Sequence, residues 1–386
     1  MHGSSIQEAN MALPADIRIS SVEAATLTGT RPRVVGRNSR RGVHGEYAHD
    51  RVVRLTTDEG VAGWGWSRAE EEEARRLIGA RVADVFDPST GTADEYIAFD
   101  LALWDLAGVV LGESVHGMLG DGGSHPVPLY DGSIYIDELD PDTGRDDGVT
   151  PMLDAVRTGL AAGFHAFKVK IGRGYQWMPK DAGMRRDIDV IRAIRDLIGD
   201  DMRLLIDGNN GYTPEEAREV MRQVGDCDIY WFEEPFPESA HECIAFRDFL
   251  REGGWDTLLA DGESSRPDDF DDIVRAGGLD VVQFDLRFYS LTKWLAYMPL
   301  IREAGIIAAP HNWGSHLSGF YIPQFALGCS DVSLAEIDSA TMPAATTEGY
   351  VFADGALAIP DTPGFGIGLD DALFTAARDE TGWTVE

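Results

Sequence analysis

The sequence predicts an α/β protein: a modified TIM-type (β/α)8 barrel with an N-terminal α+β capping domain that the C-terminal segment completes. Three observations predict it. From about residue 126, a short apolar or β-branched run ending in a polar residue is followed by a helical stretch, and this unit recurs eight times. Eight units in about 220 residues is close to the roughly 30 residues per unit of such a barrel. No GxGxxG follows any of the runs, which argues against a doubly wound open sheet.

The eight runs are VPLYDGS (127–133), AFKVKIG (166–172), RLLIDGN (203–209), IYWFEEP (229–235), TLLADGE (257–263), VVQFDL (281–286), GIIAAPH (305–311) and VSLAEID (332–338). Between them, MRRDIDVIRAIRDLIG (184–199) and TPEEAREVMRQVG (213–225) have amphipathic helical spacing, and Thr-Pro-Glu-Glu reads as an N-cap with proline in the first turn. The first 125 residues lack this period. There IRISSVEAATLTG (17–29) and RVVRLTTDEGVAGWGWS (51–67) read as strands, the second around an Asp-Glu-Gly turn, and TADEYIAFDLALWDLAGVVLG (92–112) as a helix stopped by glycine. The resulting division is a tag-like leader (1–13), a capping domain (14–125), a barrel (126–345) and a weakly periodic segment (346–386) that packs back on the cap.

Asp and Glu number 66 against 33 Lys and Arg, a formal net charge of −33. That excludes broad binding to nucleic acid or an anionic membrane, both of which need a basic field. Hydrophobic residues make up 44%, enough for a large core. No apolar run reaches 18 residues and no secretory leader is evident, so a soluble, cytoplasmic protein is expected. Cys227, Cys243 and Cys329 are scattered without a CxxC pair, which fits a reducing compartment and no zinc site. The acid-rich, lysine-poor composition is also what a high-salt cytoplasm favours.

In a barrel of this type the active site forms at the C-terminal ends of the strands. The ionisable residues ending the runs are Lys168 and Lys170, Asp207, Glu233, Glu263, Asp285, His311 and Glu336. Any one of these acids is equally an ordinary solvated charge, but one ionisable group per unit points to a shared mouth. Three carboxylates from adjacent strands, with no Cys or His among them, suit Mg2+. Such an ion can hold a substrate carboxylate and stabilise the charge formed when its α-proton leaves. In FEEP, either Glu233 or Glu234 is the inward ligand, since alternation admits only one. The chain has four lysines, and two of them lie at i and i+2 on one strand face. Their mutual repulsion and a nearby cation should lower the pKa of Lys170 towards that of a general base. Asp285 beside His311 would fix the imidazole tautomer and supply a second acid/base group. Glu336 either binds a substrate carboxylate in protonated form or positions a neighbour.

Together these motifs resemble the enolase superfamily, and within it the mandelate racemase-like acid sugar dehydratases. The match runs nearly the whole chain: ALWDLAG, KVK, DGNNG, WFEEP, ADGE, QFD, PHNWG and LAEID, in order. The resemblance implies Asp207, Glu233 and Glu263 as Mg2+ ligands, Lys168 and Lys170 as the KxK pair, His311 with Asp285 as a dyad, Glu336 as the eighth-strand acid, and a homo-oligomer. Three departures stand out. QFDLRFYSLT lacks the Gly-Gly usual after the sixth-strand Asp, GYQWMP (174–179) looks like an insertion forming part of a lid, and the sixth strand has no lysine, which counts against cycloisomerase chemistry.

Residues 31–51 carry six arginines and two acids, a basic, flexible loop in an acidic protein, which suggests attraction of a small polar anion. Candidate substrate contacts are Asn209, Arg37, Arg40, Asn312 and Trp313. The expected function is Mg2+-dependent dehydration of an acid sugar to a 2-keto-3-deoxy acid. A racemase or epimerase using the same bases is the second reading, and a catalytically inactive sugar-acid-binding barrel the non-enzymatic one.

Overall fold

The computed structural model describes residues 12–120, 125–263 and 267–386. Most of the leader expected at 1–13 lies outside the described residues.

The cap opens with an antiparallel sheet of β1 (Ile19–Val35), β2 (Gly45–Thr57) and β3 (Ala62–Trp66), and α1 (Asp100–Leu111) packs on it. Gly63 and Gly65 permit this packing, because a Cβ on either would lie 2.3–2.7 Å from the α1 backbone. The helix ends at Gly112, whose φ of 72° supplies the left-handed cap.

The ring follows: β4 (Val127–Ile134), β5 (Ala166–Lys170), β6 (Arg203–Asp207), β7 (Ile229–Glu233), β8 (Leu258–Asp261), β9 (Val281–Val282), β10 (Ile307–Ala308) and β11 (Ala335–Ile337). All eight expected runs are strands. Neighbours pair in parallel from β4 to β10, and β11 pairs with β4. One parallel bridge, Ala308 to Val332, joins the seventh strand to the segment leading into the eighth and closes the circle. The connecting helices are α2 (Thr150–Ala162), α3 (Lys180–Ile198), α4 (Pro214–Val224), α5 (Ala240–Glu252), α6 (Phe270–Arg275), α7 (Leu291–Ala304) and α8 (Ser318–Gly328). At α4 the expected start is realised as a full capping box between Thr213 and Glu216.

One buried residue from each strand fills the ring's interior: Tyr130, Ala166, Leu205, Trp231, Ala260, Val281, Ala309 and Leu334. Side chains two residues further along point the same way. The layer above this apolar floor is therefore Gly132, Lys168, Asp207, Glu233, Gly262, Gln283, His311 and Glu336, which places the polar groups at one mouth. Gly132 leaves room for its neighbour, since a Cβ there would come 2.1 Å from Glu336 Oε1.

The final segment divides its contacts. A hairpin of β12 (Val351–Ala353) and β13 (Ala356–Ala358) extends from β4, whereas α9 (Asp371–Thr381) and β14 (Trp383–Val385) pack against β1. The helix α9 was not expected from the weak periodicity. The arginine-rich stretch is also not one flexible loop: 31–35 and 45–51 belong to β1 and β2, and only 36–44 connects them. No helix among the described residues is long and apolar enough to cross a membrane.

Candidate active site at the barrel mouth

Asp207 and Glu233 end β6 and β7, Glu263 stands two residues past the end of β8, and one carboxylate oxygen from each lies within 4.8 Å of the others. Oxygens around an octahedral Mg2+ with bonds of about 2.1 Å are about 3–4 Å apart, so this donor set fits a hard divalent cation. Its electrostatics point the same way. Burial, with Asp207 and Glu263 crowded alongside, pushes Glu233 up to about 8 despite the Lys168 ammonium. Contrary to the expected alternation, both FEEP glutamates reach the mouth, Glu233 in the carboxylate triad and Glu234 on the cavity lining, because the positive φ at Glu234 breaks the strand pattern. Glu233 accepts from Trp231 Nε1 at 3.1 Å and Gln283 Nε2 at 2.8 Å inside the ring. Glu234, held at φ 39°, turns towards Asn209, whose Nδ2 reaches Glu234 Oε2 at 3.3 Å and Glu263 Oε1 at 3.0 Å.

Lys168 is fully buried and lies 2.6 Å from Glu233 Oε1 and 2.9 Å from Glu336 Oε1. Lys170 pairs with Asp207. The protein groups alone do not give the lowered Lys170 pKa expected from Lys168 together with a nearby cation. Burial works to lower it, but contact with the Asp207 carboxylate outweighs both burial and the repulsion from Lys168, leaving Lys170 above the ordinary lysine range.

His311 Nδ1 donates to Asp285 Oδ2 at 3.0 Å, and Nε2 lies 2.8 Å from Glu263 Oε2. A carboxylate on each ring nitrogen stabilises the imidazolium, and the raised His311 pKa reflects Glu263 and Asp285 overcoming burial. Where the motif lacks Gly-Gly, Arg287 stands. Its backbone N–H and guanidinium grip Asp285 at 2.8–3.2 Å, and Nη2 reaches the Trp313 carbonyl at 2.6 Å. That clamp aims Asp285 at His311.

A cavity of about 250 Å3 opens over this mouth, reaching Lys170, Asn209, Glu263, Asp285, His311 and Trp313. Two sequence assignments need correction. Arg37 does not line the cavity: it donates to the Leu139 carbonyl and sits 3.5 Å from Asp140, because β1 and the loop after β4 run side by side there. Asn312 is buried away from the cavity, donating its side chain to Ser315 O and its backbone N–H to Glu336 Oε2 at 2.8 Å. Of the two roles left open for Glu336, its contacts favour positioning: Oε1 lies 2.9 Å from Lys168 Nζ and Oε2 accepts from the Asn312 backbone N–H in the β10 loop.

Arg40 does line the cavity, but its guanidinium donates to the carbonyls of Asn209 and Asn210 at 2.8–2.9 Å. The other arginines of the stretch are largely engaged: Arg31 with Asp338 in a buried bidentate pair, Arg33 with Asp137 and Arg51 with Glu70. Arg40 and Arg41 are the two exposed arginines of the stretch that line the cavity. The GYQWMP insertion buttresses the loop, with Gln176 donating to Ser39 O and Trp177 to Asn38 O. Sequence reasoning missed Gln283, Arg287, Tyr135 and His44. Gln283 had a signal, a polar residue two places above the floor residue Val281, whereas the other three depend on tertiary placement.

A parallel eight-strand ring with a carboxylate triad and facing Lys and His groups at its C-terminal mouth, under an α+β cap, defines an enolase-type barrel. Residues 151–373 match the family described as Enolase C-terminal domain-like, and the chain belongs to it. D-galactarolactone cycloisomerase from Agrobacterium fabrum is 31% identical over 365 residues, covering 85% of this chain and 90% of that protein. Arabinonate dehydratase from Saccharolobus solfataricus is 27% identical, covering 71% and 69%. Among solved structures, a Geobacillus galacturonate dehydratase complexed with D-galacturonate and 5-keto-4-deoxy-D-galacturonate superposes with a TM-score of 0.90 at 31% identity, covering 97% of this chain and all of that one. A mandelate racemase/muconate lactonizing protein from Geobacillus sp. Y412MC10, complexed with magnesium and tartrate, gives 0.91 at 30% identity, covering 99% and 100%. A cycloisomerase among these relatives removes the force of the missing sixth-strand lysine as evidence against that chemistry.

Proposed function

We propose that the protein is a Mg2+-dependent acid sugar dehydratase, with Asp207, Glu233 and Glu263 as the metal ligands. The observation that carries this reading is the convergence of Lys170 and His311 on one cavity beside the carboxylate triad. A bound Mg2+ would supply positive charge to both oxygens of the substrate carboxylate, stabilising the ene-diolate. Lys170 acts as the base that takes the α-proton, which requires its tie to Asp207 to loosen first. His311, doubly protonated between Asp285 and Glu263, delivers a proton to the departing β-hydroxyl. The C–O bond then breaks as the Cα–Cβ double bond forms, releasing water and an enol, which loses its hydroxyl proton and gains one at Cβ to become the 2-keto-3-deoxy acid. Lys168 holds Glu233 and Glu336 in place and adds positive charge beneath the carboxylate. Water access is restricted by the 36–44 loop with its Trp177 and Gln176 supports. Two relatives named as dehydratases, acting on arabinonate and galacturonate, support dehydration over other fates of the intermediate.

The second reading is racemisation or epimerisation, in which His311 reprotonates Cα from the other face. The same two groups serve both outcomes, and a relative named as a hydrophobic dipeptide epimerase shares the family. Incubation with a library of sugar acids and a semicarbazide assay for 2-keto products tests the proposal. Solvent deuterium at Cα without ketone moves the reading to epimerisation. Binding without exchange or turnover across the library supports the inactive barrel instead.

A further inference from the structure

The reaction as derived uses no group from the cap, yet the 36–44 loop puts one imidazole into the same cavity. His44 Nδ1 lies 2.9 Å from the carbonyl oxygen of Gly36. A carbonyl can only accept, so Nδ1 carries the proton and Nε2 of the neutral ring is a lone pair. Gly36 fixes that carbonyl tightly, since a Cβ there would come 2.3 Å from Ile136 O. The ring itself is held edge-on to Tyr135, with centroids 4.7 Å apart, and to Trp313 at 5.8 Å. Tyr135 and Trp313 stack at 4.5 Å, and the Arg31 guanidinium covers Trp313. Among the described residues none forms a hydrogen bond to Nε2, and the ring lines the cavity. Burial, reinforced by the charges of Lys170, Arg41 and Arg31 against the Gly36 bond, pushes the His44 pKa down to about 4, so the ring stays neutral near pH 7.

We propose that His44 is a specificity-determining residue whose Nε2 lone pair accepts a hydrogen bond from a substrate hydroxyl remote from the reacting α-carbon. The site then selects a polyhydroxylated acid over one that is deoxygenated at that carbon, which would leave a half-buried acceptor unpaired. The cavity of about 250 Å3 is below the usual range for drug-sized ligands and fits a small acid. This selectivity presupposes acid-sugar turnover at this mouth.

The test measures kcat/KM for the sugar acid the wild-type protein turns over and for its series of monodeoxy analogues at carbons beyond the β-carbon, in wild type, His44→Phe and His44→Gln. Wild type should prefer the parent over one analogue by about tenfold or more. Phe keeps the packing on Tyr135 and Trp313 but has no acceptor, and should bring that ratio close to one. Gln, which restores an acceptor oxygen, should recover most of the preference. An unchanged ratio in His44→Phe overturns the assignment. So does equal kcat/KM across the whole deoxy series with wild type alone, a result that needs no variant to fold. If wild type neither turns over nor exchanges the α-proton of any acid in D2O, the acid-sugar reading fails first and the His44 assignment with it.

Discussion

The ring mouth and the arginine-rich stretch of the cap meet at one cavity, but their residues acquire roles in different ways. At the mouth, role follows position: an inward residue two steps above the apolar floor projects into the site whatever its neighbours do. In the cap, role follows partners. Of the six arginines that look like one basic loop, five are distributed among separate acids and carbonyls: Arg31 on Asp338, Arg33 on Asp137, Arg37 on Leu139 and Asp140, Arg40 on Asn209 and Asn210, and Arg51 on Glu70. Local net charge therefore misjudged what the stretch offers a substrate, and strand position did not.

Substitutions can break or sharpen that contrast. At the mouth the largest effect is expected. Lys170→Ala and His311→Asn should each lower kcat/KM by about 100- to 10,000-fold with a native circular dichroism spectrum, and a loss below tenfold in either would detach position from role. In the cap, Arg31→Ala should act on stability. It leaves Asp338 buried and unpaired at a cost of about 3–5 kcal/mol, read from urea unfolding. Chelation by EDTA should stop turnover, with recovery on adding Mg2+. Saturating Mg2+ at about 100 times its Kd should raise the unfolding free energy by about 2.7 kcal/mol, and Glu263→Gln should abolish that increment. Arg33→Ala breaks a partly exposed pair and should cost about 1 kcal/mol or less. Arg51→Ala, at an exposed pair, should shift stability by no more than about 0.5 kcal/mol, and a larger shift would show that the cap arginines act together.

How legible each part was follows from the same physics. All eight ring strands could be read because buried parallel strands are short apolar runs, and Lys168, Asp207, Glu233 and His311 because each closes such a run. Asp285 and Lys170 stand one layer higher and could be read for the same reason. The passage of β1 and β2 through residues 31–35 and 45–51 was hidden. Polar residues such as Arg31 and Asp50 are buried there against partners more than 250 positions away, and no local pattern encodes that. The helix α9 was hidden because its apolar face is narrow, with Phe374 its one buried residue. The tie of Lys170 to Asp207 was hidden because spacing reveals Lys168 beside it, and no local pattern encodes a contact to the next strand.

The cap loop combines fixed and free positions within nine residues. Gly36 is pressed against Ile136, Ser39 is buried and Asn38 ties back to its own loop, but Arg41, Gly42 and Val43 are exposed, and a Cβ on Gly42 would meet nothing within 4 Å. Those three positions are an engineering handle. Variation confined to them changes the rim that an incoming molecule meets, while the root of the hairpin and the reacting groups stay as they are.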